Sequence, residues 1–357
     1  MTRRLLVTGA AGFIGANFCH YWQAQHPADR VIAYDALTYA GNRANIAALQ
    51  GSDNFRFVHA DIIDCERVSA LLVEESIDTI VHFAAESHVD RSIDGPDAFV
   101  STNIVGTHSL LKAAREVWLG EGRAHRFHHV STDEVFGSLE AADVPFTETL
   151  AYAPNSPYSA SKAAADYLVR AYHHTYGLQV TTSNCSNNYG PWHFPEKLIP
   201  LCILNLLQGK PLPVYGDGRN IRDWLFVSDH CRGIELVLDG GRVGETYNIG
   251  GNNEWANIDI VTLLCSLVDE FFARDATLAM RFPAAMPAQG KVSDTLITYV
   301  RDRPGHDRRY AIDAGKIGNE LGYVPAESFE SGIRKTLAWY LANEAWWRSI
   351  LDGSYRN

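Results

Sequence analysis

Short apolar runs without polar alternation recur along the first half of the chain, at Arg4–Thr8, Arg30–Asp35, Phe55–His59, 79–83, 127–131 and 179–184. Leu5-Leu6-Val7 and Thr79-Ile80-Val81 lack polar alternation, as expected of strands covered on both faces. The stretches between them read as helices, and strands alternating with helices predict an α/β fold built on a doubly wound parallel sheet. After Tyr189-Gly190-Pro191 the pattern loosens into Pro- and Gly-punctuated segments, Lys210-Pro211-Leu212-Pro213 and Gly216-Asp217-Gly218, which predict a second, smaller, loop-rich domain. A further strand-like run at 243–249 predicts that the chain crosses back. The expected division is residues 1–190 with roughly 222–250 in the first domain, and 191–221 with 251–357 in the second. The aromatic-rich tail, 339–347, predicts one packing helix.

Composition narrows the class. The 357 residues suffice for two domains, and 31 Lys+Arg against 42 Asp+Glu give a net charge of -11. That sign opposes tracking of nucleic-acid phosphates or anionic lipid, so an anionic ligand must meet a local basic cluster. Six scattered cysteines form no Cys-x-x-Cys pair, so neither a disulfide framework nor a metal site is expected, and a reducing compartment fits. Leu5-Leu6-Val7 is too short for a signal peptide. The apolar run 198–207, broken by Pro200 and Asn205, falls short of a membrane span. A cytoplasmic protein is the expectation.

Gly9, Gly12 and Gly15 follow the first strand directly and open a helix at Phe13. Glycines there let the backbone turn tightly and approach a pyrophosphate, while the helix start offers unpaired N–H groups to the anion. The second strand ends at Asp35, 20 residues after Gly15, where a carboxylate can accept from both ribose hydroxyls. The pairing predicts a Rossmann-type site that favours NAD over NADP, whose 2'-phosphate would face a negative charge. Asp61-Ile62, past the third strand, is placed either to flank the adenine or as an exposed loop.

Tyr158 and Lys162 stand four apart after Asn155-Ser156-Pro157, a helix-start signal, so they share one helical face. A phenol with a pKa of about 10 is a poor base at neutral pH, and a nearby ammonium, with the charge of oxidised nicotinamide, is expected to favour the phenolate. Ser131-Thr132-Asp133-Glu134 closes a predicted strand, where open α/β sheets bind ligands. In a continuing strand Asp133 and Glu134 would face opposite ways, so joint action requires the strand to have ended; otherwise they are two solvated loop acids.

With these residues in view, the chain resembles the extended short-chain dehydrogenase/reductase family. The likeness rests on Gly9 to Gly15, Tyr158 to Lys162 and Ala84-Ala85-Glu86-Ser87-His88-Val89-Asp90-Arg91-Ser92. Thr132-Asp133-Glu134-Val135, Asn187-Asn188-Tyr189-Gly190-Pro191, Glu196-Lys197-Leu198-Ile199-Pro200, Ile221-Arg222-Asp223-Trp224 and Asp302-Arg303-Pro304-Gly305-His306-Asp307 extend it over nearly the whole chain, toward members that dehydrate a nucleotide sugar. Phe136 stands where the family usually has Tyr, and 275–292 looks longer than typical.

The resemblance implies bound NAD, held by Gly9, Gly12, Phe13, Ile14, Gly15, Asp35, Asp61, Ile62, Ala84, Tyr158 and Lys162. It implies dehydration of dTDP-glucose with Thr132, Asp133, Glu134, Tyr158 and Lys162 as catalytic groups: Tyr158 as base at the 4-hydroxyl, Glu134 as base at C5, Asp133 as acid at the 6-hydroxyl. Glu86 and Thr132 would contact the hexose. Ser87, Asn187, Glu196, Lys197, Leu198, Pro213, Tyr215 and Asn257 would line the substrate cleft, and Arg222, Arg303 and His306 would meet the diphosphate. His82 and Cys185 read as core. A nucleotide-sugar 4-epimerase is the nearest alternative, sharing NAD, Tyr158 and Lys162 but having no C5 proton to remove; a catalytically silent NAD-binding regulator is the other. Apolar stripes on 103–117 and 158–176 face either the core or, as relatives suggest, a second copy in a homodimer.

Overall fold

The computed structural model describes residues 2–302 and 305–356. Six strands alternate with helices in the first half: β1 (Arg4–Thr8), β2 (Arg30–Asp35), β3 (Phe55–His59), β4 (Thr79–His82), β5 (Arg126–Thr132) and β6 (Val180–Cys185). With β7 (Asn187–Tyr189), β8 (Leu212–Tyr215), β9 (Ile221–Phe226) and β10 (Thr246–Ile249) named in turn, the main sheet has seven strands in the order β10-β6-β5-β4-β1-β2-β3. Every pairing in it is parallel. Successive residues feed opposite cores: Leu5 and Val7 of β1 pack on one face with Phe18 and Trp22, and Leu6 on the other with Leu71 and Leu110. Two covered faces explain why the runs lack polar alternation. The return strand does cross back, joining the main sheet beside β6, but it begins at Thr246 rather than 243.

The rest of the chain is less loop-rich than its punctuation predicts. β11 (Glu254–Ala256), β12 (Ile297–Val300) and β13 (Arg309–Tyr310) complete two small sheets, β11-β9-β13 with β7 on β9, and β12-β8. An apolar core spans the Leu198–Gln208, Asn257–Arg274 and Phe329–Ala342 helices. Pro200 does not break the first of these, because it sits in the opening turn where no intrahelical partner for its nitrogen is needed. The tail is not one helix but two: Phe329–Ala342 ends at Asn343, which leaves helical geometry (φ -113°, ψ 45°) before Glu344–Leu351. The break lets Trp347 bury fully while Trp339 and Trp346 meet edge to face. No helix among the described residues is long and apolar enough to cross a membrane.

Candidate active site

A cleft of about 370 Å³ runs along the carboxyl ends of β1, β2, β4, β5 and β6. At its centre the chain leaves β1 through Gly9, whose φ of 69° is the left-handed region that glycine tolerates. A Cβ on Gly9 would lie 2.7 Å from the Ala84 nitrogen, and one on Gly15 only 2.2 Å from the Gly9 carbonyl oxygen, so helix, turn and β4 loop touch backbone to backbone. Gly12 caps the Phe13–Gln25 helix without a side-chain hydrogen bond, leaving its first N–H groups facing the cleft, which Phe13 and Ile14 line. Asp35 is buried at the end of β2, where it accepts from the Ala11 and Leu37 amides at 2.8 Å each. Burial raises its pKa and these amides oppose the rise. Asp61, Ile62 and Ala84 also line the cleft, as do Tyr39 and Phe194.

The Pro157–Tyr176 helix starts in a reciprocal capping box, Ser156 Oγ accepting from the Ser159 amide and Ser159 Oγ from the Ser156 amide. With Pro157 at the first position, this fixes Tyr158 and Lys162 on the turns that face the cleft. Lys162 is buried and its ammonium donates to the Val130 carbonyl at 2.8 Å. Strand β5 ends at Thr132, and Asp133–Phe136 forms a tight 3₁₀ turn capped by the Thr132 hydroxyl. The strand has therefore ended before the two acids, as joint action requires. Glu134 lines the cleft; Asp133 lies behind it, 1% exposed, with Oδ2 unpartnered and Oδ1 3.4 Å from the Thr132 hydroxyl.

Burial, then Glu134 and Asp223, raise the Asp133 pKa well above the carboxylate range, against the opposing charge of Arg222. Within the chain the Tyr158 pKa is pushed up, first by burial and then by Glu134, while a hydrogen bond to Thr132 works the other way, so the expected phenolate depends on the nicotinamide charge that the expectation also invokes. Lys162, itself held below its usual range by burial, does not offset these effects. The sequence shows which groups adjoin the phenol but not how dry its surroundings are.

The remaining positions fall into two groups. Glu86, Ser87, Thr132, Asn187, Glu196, Lys197 and Leu198 line the cleft. Lys197 donates to the Ser87 carbonyl at 3.0 Å, and Arg91 donates to Glu196 at 3.2 Å while stacking on Tyr39. Pro213, Tyr215, Arg222, Asn257 and His306 lie outside the cleft lining. Arg222 is buried, donates to the Asp307 carbonyl at 2.9 Å and stacks on Tyr310. His306 meets Tyr215 edge to face and Asp302 at 2.6 Å. Arg303 lies outside the described residues. His82 is core, but Cys185, though buried, also lines the cleft. Sequence reasoning missed Asn103, which clamps Glu86 (2.9 and 3.0 Å) to Ser161 (2.8 Å), and it missed Tyr39, Trp224 and Phe194 in the wall.

Parallel sheet, uncapped helix at the first turn and buried Tyr-Lys pair at the strand ends together define an enzyme of the extended short-chain dehydrogenase/reductase class. The GDP-mannose 4,6 dehydratase family model matches residues 6–336, and the chain belongs to that family. It is 58% identical over 355 residues to the dTDP-glucose 4,6-dehydratase of Xanthomonas campestris pv. campestris (98% of this chain, 97% of the relative). It is 52% identical over 366 residues to that of Salmonella typhimurium (99% and 97%). The crystal structure of a dTDP-glucose 4,6-dehydratase from Streptomyces venezuelae with NAD bound superposes with a TM-score of 0.87 at 47% identity (97% and 99%). A UDP-glucuronic acid 4-epimerase from Bacillus cereus superposes at 0.81 with 26% identity (95% and 99%).

Proposed function

We propose that the protein is an NAD-dependent dTDP-glucose 4,6-dehydratase, a lyase that converts dTDP-glucose to dTDP-4-keto-6-deoxyglucose and water. The observation that carries this reading is the acid pair after β5: Asp133 is buried, which pushes its pKa well above the usual carboxylate range, while Glu134 lines the cleft beside Tyr158. Loss of water across C5 and C6 needs one carboxyl protonated and another ionised at the same moment, which requires environments that separate them. A 4-epimerase needs no such pair.

The first turn fits a dinucleotide, since its glycines bring backbone to the cleft wall and its helix start leaves donors open to an anion. When bound, NAD supplies the hydride acceptor at C4 of the hexose and the donor at C6. Tyr158 Oη takes the 4-hydroxyl proton. The 4-ketone acidifies C5–H, and Glu134 removes that proton while Asp133 gives its own to the departing 6-hydroxyl. Glu134 then returns its proton to C5. At the end Tyr158 holds one proton more and Asp133 one fewer, and the Thr132 hydroxyl, next to both, is the short route by which the pair resets.

In this reading 1–190 with 222–250 hold the cofactor, and 191–221 with 251–357 hold the nucleotide. Glu86 and Thr132 contact the hexose; Ser87, Asn187, Glu196, Lys197, Leu198, Pro213, Tyr215 and Asn257 serve the sugar nucleotide; Arg222, Arg303 and His306 meet the diphosphate. The protein works in the cytoplasm as a homodimer paired through the helices around 103–117 and 158–176, where Val105, Tyr167 and Tyr176 are exposed. A monomeric mass in solution overturns that pairing. Incubation with dTDP-glucose, followed by the alkaline absorbance of a 4-keto-6-deoxy sugar, tests the activity. Epimerised sugar instead supports the 4-epimerase, no turnover supports a silent binder, and competition against UDP-glucose reads the base preference.

A further inference from the structure

The Pro157–Tyr176 helix carries a third polar residue on the face of Tyr158 and Lys162: Asp166, four positions beyond the lysine. The proton steps above do not use it. Asp166 is 6% exposed. Its Oδ2 accepts from Ser131 Oγ at 2.8 Å, and the Tyr152 phenol beside it favours the ionised carboxylate. Its Oδ1 stands 3.0 Å from His129 Nε2, close but not hydrogen-bonded.

Lys162 is 4% exposed, and among the described residues no carboxylate lies within ion-pairing distance of its ammonium. A buried ammonium is costly unless something balances it. Asp166 is the foremost influence favouring its charge. The other titratable groups packed here do not compete for that role. His129 on β5 and His82 on β4 are kept neutral by burial and by the ammonium itself, and burial keeps Cys185 on β6 a thiol. Burial keeps Tyr152 phenolic as well.

We propose that Asp166 is a positioning residue: its carboxylate keeps Lys162 charged and seated on the Val130 carbonyl, with Ser131 holding the carboxylate in place. It acts through Lys162 and rests on the reading of Lys162 as the partner of Tyr158. Burial raises Asp166 to about 6, against the pull of Lys162, Ser131 and Tyr152. A carboxyl so raised is ionised above that value and protonated below it, so support for Lys162 is present at neutral pH and lost as pH falls through about 6. Removing the Tyr152 O–H takes away a stabiliser of the ionised form and moves that loss to higher pH.

Two measurements test this: the pH dependence of acetic anhydride labelling of Lys162 in nucleotide-free protein, read by peptide mass spectrometry, and the pH profile of kcat. Asp166→Asn is expected to lower the Lys162 pKa by about 1 unit, speeding its labelling roughly 10-fold at neutral pH, and to cut kcat by about 10- to 100-fold. Asp166→Glu should restore part of both. Tyr152→Phe should keep the alkaline plateau of kcat and shift its acid limb upward. An inactive Asp166→Asn protein that labels Lys162 at the wild-type rate has lost structure alone and overturns the proposal, as does an unchanged pH profile. If that variant does not fold, Tyr152→Phe decides, and an unmoved acid limb overturns the proposal. Full activity in Lys162→Met would instead overturn the underlying reading of the Tyr158–Lys162 pair.

Discussion

Gly15→Ala measures how tightly the cofactor turn is built. The added Cβ would sit 2.2 Å from the Gly9 carbonyl oxygen, 2.8 Å from its carbon and 3.0 Å from the Ala10 Cα, all backbone atoms with no flexible end to yield. Reaching even 3.0 Å from that oxygen requires a shift of 3.0 minus 2.2, about 0.8 Å, between helix start and strand turn. Overpacking of this kind costs about 1–3 kcal/mol, a fall in Tm of several degrees. The same shift pulls the open N–H groups at Phe13 and Ile14 off a bound phosphate. Losing one charge-assisted hydrogen bond of about 1.5–3 kcal/mol weakens NAD affinity roughly 10- to 100-fold. Gly12→Ala is the control for stability, since its Cβ would lie 3.3 Å from the same oxygen and need only a small adjustment. Thermal melting of the nucleotide-free proteins and calorimetric titration with NAD read both effects. Wild-type Tm and affinity in Gly15→Ala would refute the backbone-contact argument, and equal losses of Tm in the two variants would refute the ranking drawn from it.

Glu134→Gln removes the base for C5, so oxidation should proceed while water loss stops; absorbance of enzyme-bound NADH should accumulate as deoxysugar formation collapses, and full activity would reassign the base. Tyr158→Phe should suppress the hydride step itself by about 100-fold or more, read as the absence of rapid NADH formation on mixing with dTDP-glucose. At the far end of the cleft the Tyr355 phenol donates to the Tyr39 carbonyl and its ring meets Phe194 edge to face. Tyr355→Ala should therefore speed NAD release with little change in Tm, and unchanged release in a chase with free NAD would show that the tail does not hold the cleft closed. Glu75 is held below its usual range by hydrogen bonds from Arg30 and Arg56 at 2.7 and 2.5 Å, offset in part by burial. A depressed carboxylate contributes stability above its unfolded pKa and loses it as pH falls through the folded value, so Glu75→Gln should cost about 1 kcal/mol at pH 7 and nothing once the wild-type carboxylate is protonated. Urea unfolding at both pH values checks this.

What could be read before folding, and what could not, follows from the distance over which a constraint acts. Strand runs on β1 and β4, the glycines at 9, 12 and 15, and the Tyr158–Lys162 spacing are local demands of backbone geometry and chemistry, so they are written within a few residues of each other. Tyr39 and Phe194 in the cleft wall, and Asn103 and Tyr355 bracing it through Glu86 and Tyr39, left no such mark, because each comes from a distant segment and has a residue type that serves equally well as core or surface. Asp166 lies between these cases. Its spacing from Lys162 was visible in the sequence, yet an aspartate on a helix is ordinarily solvated; only the packing of β5 over it, with Ser131 on its carboxylate, makes it a buried group. Tyr158 shows the same limit, since the ammonium and the nicotinamide charge argue for an easily ionised phenol while its burial opposes them. A motif can specify which groups meet, but the energy of their meeting is set by how much water the rest of the chain excludes. The electrostatic poise of this site therefore belongs to residues that no local pattern singles out.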